Sequence, residues 1–277
     1  MEPSLTRYLN KVQSDPMVMD IDQKKLNDLI KAPMQPAAVN ELRRSGNVFF
    51  VGGELPINET LETMFESFCM ESTELFHLSF GALDTYHSAE EMARQIKKNF
   101  HVRLMGRLSH PVSTRVLERI YAAGVDILDI PLLTYEEPSA RTHEALLAAL
   151  PIFPRWSVAS TLLAGEGSAA STMKGIDALL KDGIVPLVAL GESAAGVAAE
   201  AVAEIFQHLA KGWENCDLPL QPYLPMISFM TPLVPRDSSG LFRGMFDKLN
   251  DRRLLVASDL RRHLRVKTED SMDSAAL

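Results

Sequence analysis

The sequence predicts an α/β fold in which parallel strands alternate with covering helices. Short apolar runs recur along the 277-residue chain between segments of helical periodicity, and several of these runs end at glycine. Residues 156–186 contain the whole pattern once: an apolar run, a glycine turn, an amphipathic helix ended by Asp182-Gly183, and a second apolar run. Such a strand, helix and strand unit packs with its two strands parallel.

Composition limits the class of protein. With 46% hydrophobic residues the chain can bury a large core, and we expect a single domain. A formal net charge of -8 argues against a nucleic-acid partner, because phosphate backbones attract concentrated Lys and Arg. Cys69 and Cys216 form no metal-binding or disulfide pattern, which favours a reducing cytoplasm. No apolar run is long enough to predict a signal peptide or a membrane span.

In chain order, residues 1–46 show amphipathic periodicity and predict N-terminal helices. The barrel segment follows at residues 47–240, with helices predicted at residues 59–71, 112–123, 168–181 and 194–213, and a further helix predicted to start at Ser88. Residues 241–267 predict a C-terminal helical extension, and the polar tail 268–277 predicts disorder. Seven strand candidates begin at or centre on Val48, Leu75, Val102, Ile127, Val158, Val185 and Met226.

This alternation predicts either a TIM-type (β/α) barrel, full or partial, or an open doubly wound sheet. A doubly wound nucleotide-binding sheet needs G-x-G-x-x-G at the start of a helix. The Gly165-Glu166-Gly167 turn lacks the third glycine and places a carboxylate where a pyrophosphate would lie. We therefore favour the barrel. The chain also has no G-x-S-x-G, P-loop or HExxH motif, so the chemistries those motifs carry are not indicated.

Several strand ends together resemble a known family. The run Ala122-Ala123-Gly124-Val125-Asp126 leads into an apolar strand, and comparable segments follow at 160–168, 183–186 and 231–235. In order and spacing these segments resemble the radical S-adenosylmethionine (radical SAM) superfamily, in particular its biotin synthase-like barrels. The resemblance covers about residues 45–240. It implies a barrel that holds SAM, or a SAM-like nucleotide, at the carboxyl ends of its strands.

The cluster motif of that family is degenerate here. Radical SAM enzymes hold a [4Fe–4S] cluster with Cys-x3-Cys-x2-Cys, and the matching spacing in this chain is Glu62-x3-Glu66-x2-Cys69. Carboxylates are hard donors, whereas such clusters are held by thiolates, so a [4Fe–4S] cluster and radical chemistry are not expected. The same residues also fit one face of an amphipathic helix that has Leu61, Met64, Phe65 and Phe68 on another face, with no metal role.

The resemblance implies a set of ligand-binding residues at the strand ends. Gly52-Gly53-Glu54 is similar to a signature that holds the SAM amino group, although it follows the first barrel strand rather than the second, so the match is equally well a coincidence. Ser79 and Gly81 lie where that signature is expected, but the carboxylate is missing. The complete set of expected cofactor-binding residues is Glu54, Ser79, Gly81, Asp129, Gly165, Glu166, Gly167 and Ser228.

Polar residues inside strand-like runs are a second group of candidates. His77, His101, Arg103 and Asp129 interrupt apolar strands, and each is either a hydrogen-bonded strand residue or a lumen group. Alternation places Arg103 on the face that would line the barrel, so we expect it to pair with Asp129.

Two functions remain open from the sequence. The first is a cluster-free, radical SAM-like protein that serves as accessory subunit to an active radical SAM enzyme in cofactor biosynthesis or related anaerobic metabolism. The second is a stand-alone lyase or transferase that uses the barrel pocket, with or without SAM, for non-radical chemistry. Expected partners are a radical SAM enzyme or a second copy of the chain, together with a small-molecule ligand.

Overall fold

The computed structural model describes residues 17–70, 73–134 and 140–236, which form a mixed α/β structure. The predicted C-terminal helices at 241–267 and the tail at 268–277 lie outside these residues. The strands, in chain order, are β1 (Met19–Ile21), β2 (Leu42–Ser45), β3 (Val48–Gly52), β4 (Leu75–Phe80), β5 (Arg103–Leu108), β6 (Ile127–Asp129), β7 (Val158–Ala164), β8 (Val185–Leu190) and β9 (Leu233–Pro235). The helices are α1 (Gln23–Lys31), α2 (Ile57–Met70), α3 (Tyr86–Asn99), α4 (Thr114–Ala122), α5 (Ala140–Ala149), α6 (Ala169–Lys181), α7 (Ala199–Asn215) and α8 (Leu224–Met230). Two 3-10 segments, Glu192–Gly196 and Gln221–Tyr223, complete the set.

Seven strands form one sheet whose order in space is their order in sequence, β2 to β8. β3 to β8 are all parallel, and β2 adds to the edge as an antiparallel hairpin strand. Because parallel crossovers are right-handed, strands that always advance in one direction put their helices on one face. The other face curls inward, and the sheet is a curled half-barrel. A doubly wound sheet requires a strand order that reverses direction, and the strand order of this sheet never reverses. Among the described residues, β2 and β8 are its two open edges.

The apolar character of the strands follows from burial on both faces. Every residue of β3, β4 and β8 is buried. On β4, the rings of Phe76 and Phe80 face the helical layer, where they contact Phe100 and Tyr86 at ring-centroid distances of 5.1 and 5.4 Å. Strands that are covered on both faces appear in the sequence as continuous hydrophobic runs. For this reason six of the strands could be predicted from the sequence.

The Gly124-Val125-Asp126 segment has a structural role at the amino end of the sheet. Gly124 has φ +117°, and the side chain of Lys97 lies 2.5 Å from where its Cβ would be. The Lys97 ammonium then reaches the buried Asp126 carboxylate at 3.0 Å. Asp126 also accepts a hydrogen bond from the Leu104 backbone N–H at 2.9 Å. The segment therefore joins α3, β5 and β6 away from the carboxyl rim.

Two sequence predictions about secondary structure were wrong. The strand predicted at Met226 is helix α8, which begins at Leu224 with Pro225 in its first turn, where proline is well tolerated. The N-terminal segment is not wholly helical, because within residues 17–46 strands β1 and β2 flank helix α1. β1 pairs with β9 in a separate antiparallel ribbon, so a distant partner decides its conformation.

Helix α8 covers the amino-terminal end of the half-barrel interior. The Phe229 ring packs on Phe50 of β3 at a centroid distance of 4.6 Å. Just before α8, the Tyr223 hydroxyl donates to the carbonyl of Trp156, which precedes β7, at 2.8 Å. The carboxyl ends of the strands lie at the opposite end of the half-barrel from α8. No helix in the described part of the chain has the length and apolarity needed to cross a bilayer.

Candidate functional site at the carboxyl ends of the strands

Polar side chains line the inner face of the sheet where β4, β5 and β6 end. Ser79, Arg107 and Asp129 are register partners across these three strands, so their side chains share one face. Barrel-type folds place their sites at this end, because the loops that follow the strands converge there. The inner layer of the carboxyl end is therefore the candidate site.

Arg107 and Asp129 form a buried ion pair in this layer. Arg107 Nη1 lies 3.2 Å from Asp129 Oδ2, and the two side chains are 19% and 1% exposed. Thr161 of β7 donates its hydroxyl to the same carboxylate, with distances of 3.1 and 3.0 Å to the two oxygens. Burial raises the pKa of Asp129, and the Arg107 charge and the Thr161 hydrogen bond act in the opposite direction. The pair is held by a single long contact rather than by a two-pronged one.

His77 lies on β4 two residues before Ser79, farther from the carboxyl end, and its side chain is on the same face as that of Arg107. It is fully buried, and its ring packs beside Phe50 at a centroid distance of 5.2 Å. Neither ring nitrogen has a hydrogen-bond partner among the described residues. Burial and the nearby Arg107 charge lower the pKa of His77 to about 3, so the ring is neutral at physiological pH. A buried imidazole without partners is unusual, because buried polar groups are nearly always paired.

Glu54 brings a carboxylate to the end of β4. It follows β3 in sequence, but its side chain crosses to Gly81, and its Oε1 would overlap a Cβ at that position. The Thr85 hydroxyl donates to the same oxygen at 2.9 Å. Residues 79–81, at the end of β4, include no carboxylate, and Glu54, which follows β3, places one there. The Glu54 side chain remains exposed.

A loop from the N-terminal segment closes over the ends of β3 and β4. The Ser79 hydroxyl donates to the Ala37 carbonyl at 2.8 Å. The Val39 carbonyl accepts the Glu54 backbone N–H at 2.9 Å. Val39 also lies so close to Gly52 that a side chain there would overlap its backbone. Ser79 is therefore engaged with the protein itself.

The Gly165-Glu166-Gly167 turn is also engaged internally. Gly165 has φ +97°, and its Cβ position is 2.7 Å from Ala194 Cα. The Glu166 carboxylate lies over Gly191, which follows β8, and accepts the Ser193 backbone N–H at 3.3 Å. This repeats the relation between Glu54 and Gly81. Glu166 caps the 3-10 segment, which accounts for it without a ligand.

Ser228 does not join the other expected ligand residues. It is exposed on α8 at the amino-terminal end, and its carbonyl accepts a hydrogen bond from the Lys25 ammonium. There it lines a cavity of about 450 Å³ with α1 and the β2–β3 turn. The sequence placed it on a strand around Met226 that is helix α8 instead, so Ser228 lies apart from the other expected ligand residues.

The degenerate cluster positions lie on a regular helix. Glu62 and Glu66 are exposed on α2, and Cys69 belongs to the last turn of the same helix. Two exposed carboxylates on a helix do not fit a [4Fe–4S] cluster, which needs three convergent thiolates. No group of three or more His, Cys, Asp or Glu in residues 17–70, 73–134 and 140–236 is arranged to hold a metal ion.

Sequence reasoning chose the wrong arginine and missed the threonine. Asp129 pairs with Arg107 and not with Arg103, because Arg107 is its register partner at the strand ends. Arg103 lies four residues earlier on the same face, near the start of β5. Strand alternation places Arg103, Met105 and Arg107 on the same face. Only the register with β6 shows that Arg107 is the one opposite Asp129. Thr161 carried no sequence signal beyond its position late in β7.

A cavity of about 510 Å³ opens beside Glu54 at the carboxyl rim, lined by residues 54–59 and Ser88. Neither a protein-family model nor a curated protein matches this chain. The functional argument therefore depends on the residues and geometry described above.

Proposed function

We propose that this protein is a cluster-free, radical SAM-like half-barrel that acts as an accessory subunit to an active radical SAM enzyme. The observation that carries this proposal is the sequential winding of six parallel strands, with polar side chains gathered at their carboxyl ends. We take the half-barrel to be a partial TIM-type (β/α) barrel, the architecture that the sequence resemblance implies. The segments that carry the resemblance, apart from residues 231–235, fall in this sheet and its connections.

The nature of the cluster positions argues for the accessory role. The helix α2 presents Glu62 and Glu66 to solvent, and neither carboxylate is the soft donor that an iron–sulfur cluster needs. A subunit without a cluster has no electron with which to cleave SAM. In the proposed complex the partner supplies the cluster, and this chain supplies a second ligand-binding surface.

The rim offers Glu54 as the group that holds the ammonium of SAM or of a SAM-like nucleotide. Its carboxylate is exposed and receives one hydrogen bond, from Thr85, so further acceptor sites remain on its oxygens. The cavity beside it is large enough for part of a nucleotide. Ser79 and Glu166 are engaged with Ala37 and Ser193, so we assign them no direct ligand contact.

Exposed apolar side chains on the rim support a protein partner there. Leu83 after β4 and Leu133 after β6 are 61% and 44% exposed. Both follow carboxyl ends of strands, on loops next to the candidate site. Exposed large apolar side chains occur in interaction surfaces, and the other two in the described residues, Phe65 and Leu147, lie on α2 and α5.

The test begins with the purified full chain, reconstituted anaerobically with iron and sulfide. We expect iron content far below one cluster per chain, equal in the wild type and in Cys69→Ala. SAM binding is then measured by calorimetry, and Glu54→Gln is expected to weaken it by about tenfold, the cost of one charge-assisted hydrogen bond. Glu59→Gln, on the same cavity wall, is the matched control. A full cluster that depends on Cys69 contradicts the proposal.

The stand-alone enzyme remains the second candidate, because Arg107, Asp129 and Thr161 form a buried polar cluster where barrel enzymes place catalytic groups. The accessory role predicts that the chain alone converts no substrate and changes the turnover of a cluster-bearing radical SAM enzyme from the same organism. Turnover by the isolated chain that is lost in Asp129→Asn would favour the enzyme instead.

A further inference from the structure

We propose that the cavity between α1, the β2–β3 turn and α8 binds a free apolar α-amino acid in its zwitterionic form. The cavity lies at the amino-terminal end of the half-barrel, opposite the rim that carries Glu54. The proposal therefore requires neither SAM nor a partner subunit, and it can fail while the function proposed above holds. It rests on the lining of the cavity, which combines an apolar wall with one cation and one anion.

The cavity has the size and the apolar wall of a small-molecule site. Its volume of about 450 Å³ falls within the range of about 300–1,000 Å³ that such sites occupy. Apolar side chains from α1, from the segment after it and from α8 contribute to the wall, namely Leu29, Met34, Pro225 and Phe229. Leu29 and Phe229 are almost fully buried, so core packing fixes their positions. A branched or aromatic side chain of a ligand can cover the parts of this wall that the protein leaves open.

The cation in the lining is the ammonium of Lys25. It donates one hydrogen bond within the described part of the chain, to the Ser228 carbonyl, so two of its three N–H donors remain for solvent or a ligand. Burial lowers the pKa of Lys25, while the nearby Asp22 charge acts in the opposite direction. The charged amine is thus less stable here than in open water. A ligand carboxylate beside it would stabilise the charge.

The anion in the lining is Asp28, one turn farther along α1. Side chains three residues apart lie on the same side of a helix, and opposite charges at that spacing commonly pair. No ion pair within the described residues joins Lys25 to Asp28, and the ammonium is bound to Ser228 instead. Two opposite charges that line one cavity without joining each other match the carboxylate and the ammonium of a zwitterion.

Other ligand classes fit this lining less well. An apolar anion without an amine, such as a fatty acid, would be repelled by Asp28, and an apolar amine without a carboxylate would be repelled by Lys25. An apolar amino acid matches both charges and the wall. Hydration of two surface charges is the remaining alternative, and it accounts for the exposed Asp28 better than for the half-buried Lys25.

The experiment titrates the full chain by calorimetry with L-leucine, L-methionine and L-phenylalanine. We expect saturable binding of at least one of them and no binding of glycine, which has no apolar side chain. The amidated form of the bound amino acid lacks the carboxylate, and the N-acetylated form lacks the ammonium. Each should bind about tenfold more weakly than the free amino acid, the usual effect of losing one charge-assisted hydrogen bond.

Variants of the lining assign each charge to its partner. Lys25→Met should weaken binding by about tenfold and abolish the preference over the amidated form, and Asp28→Asn should do the same for the N-acetylated form. Ala32→Phe places a ring at an exposed position of the cavity wall, so it should fold and prevent binding. Lys24→Met, which is exposed on α1 and lies outside the lining, is the matched control. Glu54→Gln should bind the amino acid as the wild type does.

Three results would overturn the inference. The first is the absence of saturable binding of all three amino acids, which would leave water as the partner of Lys25 and Asp28. The second is equal binding of the free, amidated and N-acetylated forms, which would show that the two charges do not recognise the ligand. The third is unchanged binding by Lys25→Met and Ala32→Phe, or weakened binding by Glu54→Gln, either of which would place the ligand elsewhere.

Discussion

The side-chain carboxylate of Glu54 lies so close to Gly81 that a Cβ at Gly81 would overlap it, so the end of one strand carries the charge supplied by its neighbour. The same relation joins Glu166 and Gly191 on the far side of the sheet. In both places a glycine that ends a strand makes room for an acidic side chain from the preceding strand. The arrangement places the carboxylates of Glu54 and Glu166 at the carboxyl rim.

We expect Gly81→Ala to lower the free energy of unfolding by about 1–3 kcal/mol, the usual cost of overpacking. The new methyl group would overlap the Glu54 carboxylate and lie 2.6 Å from the Thr85 hydroxyl oxygen. In a Glu54→Ala background most of this loss should disappear, because the main obstacle is then absent. Urea denaturation of the four proteins of this double-mutant cycle gives the coupling. Gly196→Ala, whose Cβ would meet nothing within 4 Å, is the control. Equal losses in both backgrounds would contradict the proposed contact.

Gly165 and Gly183 separate backbone strain from steric overlap. Both have positive φ, +97° and +79°, but the Cβ of Gly183 would meet nothing within 4 Å, whereas that of Gly165 would lie 2.7 Å from Ala194 Cα. Gly183→Ala should therefore cost about 1–2 kcal/mol, the penalty for a left-handed conformation. Gly165→Ala should cost clearly more, because buried backbone has to move. Thermal and urea denaturation of the two variants measure the difference, and equal costs would show that the 3-10 segment at Ala194 yields easily.

Removal of one partner of the Arg107–Asp129 pair should be strongly destabilising. We expect Arg107→Met to cost about 2–4 kcal/mol, slightly less than a fully buried pair, because the Arg107 side chain is 19% exposed. The double variant Arg107→Met with Asp129→Leu should recover part of that loss, since no uncompensated charge is then buried. The exposed pair of Arg236 and Asp20 provides the control, and Arg236→Met should cost far less. A double variant that is only the sum of its parts would show that the two groups do not interact.

His77 should make the protein sensitive to acid. Its pKa is about 3 in the folded protein and 6.5 in the unfolded chain, so between these values the unfolded chain binds one more proton. Stability from this residue is therefore complete above pH 6.5 and falls by about 1.4 kcal/mol per pH unit below it. The raised pKa of Asp129 acts in the opposite direction, because its stabilising protonation is lost as pH rises through the folded value.

His77→Phe isolates the histidine contribution. Urea denaturation of wild type and variant at several pH values from 7 to 4 should show the wild type losing stability relative to the variant as pH falls. His110→Phe, which removes an exposed imidazole, is the matched control for the loss of a buried one. A constant difference for His77→Phe would mean that water or another group reaches its ring.

Strand prediction succeeded where burial alone decides conformation. The strand predicted at Leu75 is β4, and five further strands were located by their apolar cores. β6 is short, since its pairing stops at Asp129 and the following chain bonds to β7 through the Ser160 hydroxyl. The apolar run around Met226 failed for a different reason. A short buried segment reads alike as strand or helix, and the packing of Phe229 on Phe50 selects the helix.

The candidate site was predictable only in part. Asp129 was recognised from the sequence because a carboxylate inside an apolar strand must be paired. Its partner depends on the register between neighbouring strands, and the alternation pattern of one strand does not determine that register. Glu54 was recognised from a motif, while its contact with Gly81 depends on the path of its side chain across two strands. His77, Arg107, Asp129 and Thr161 became one cluster only when the four strands β4 to β7 were brought side by side.

The sequence by itself determined the strand and helix alternation, the positions of most parallel strands, and the glycines at which those strands end, because these follow from local periodicity and backbone freedom. Only the tertiary structure decided that the sheet winds in one direction, that α8 fills its amino-terminal end, and that Asp129 faces Arg107. Those outcomes depend on which distant segments share a face. Contacts between residues far apart in the chain are set by packing and register, which no short stretch of sequence contains.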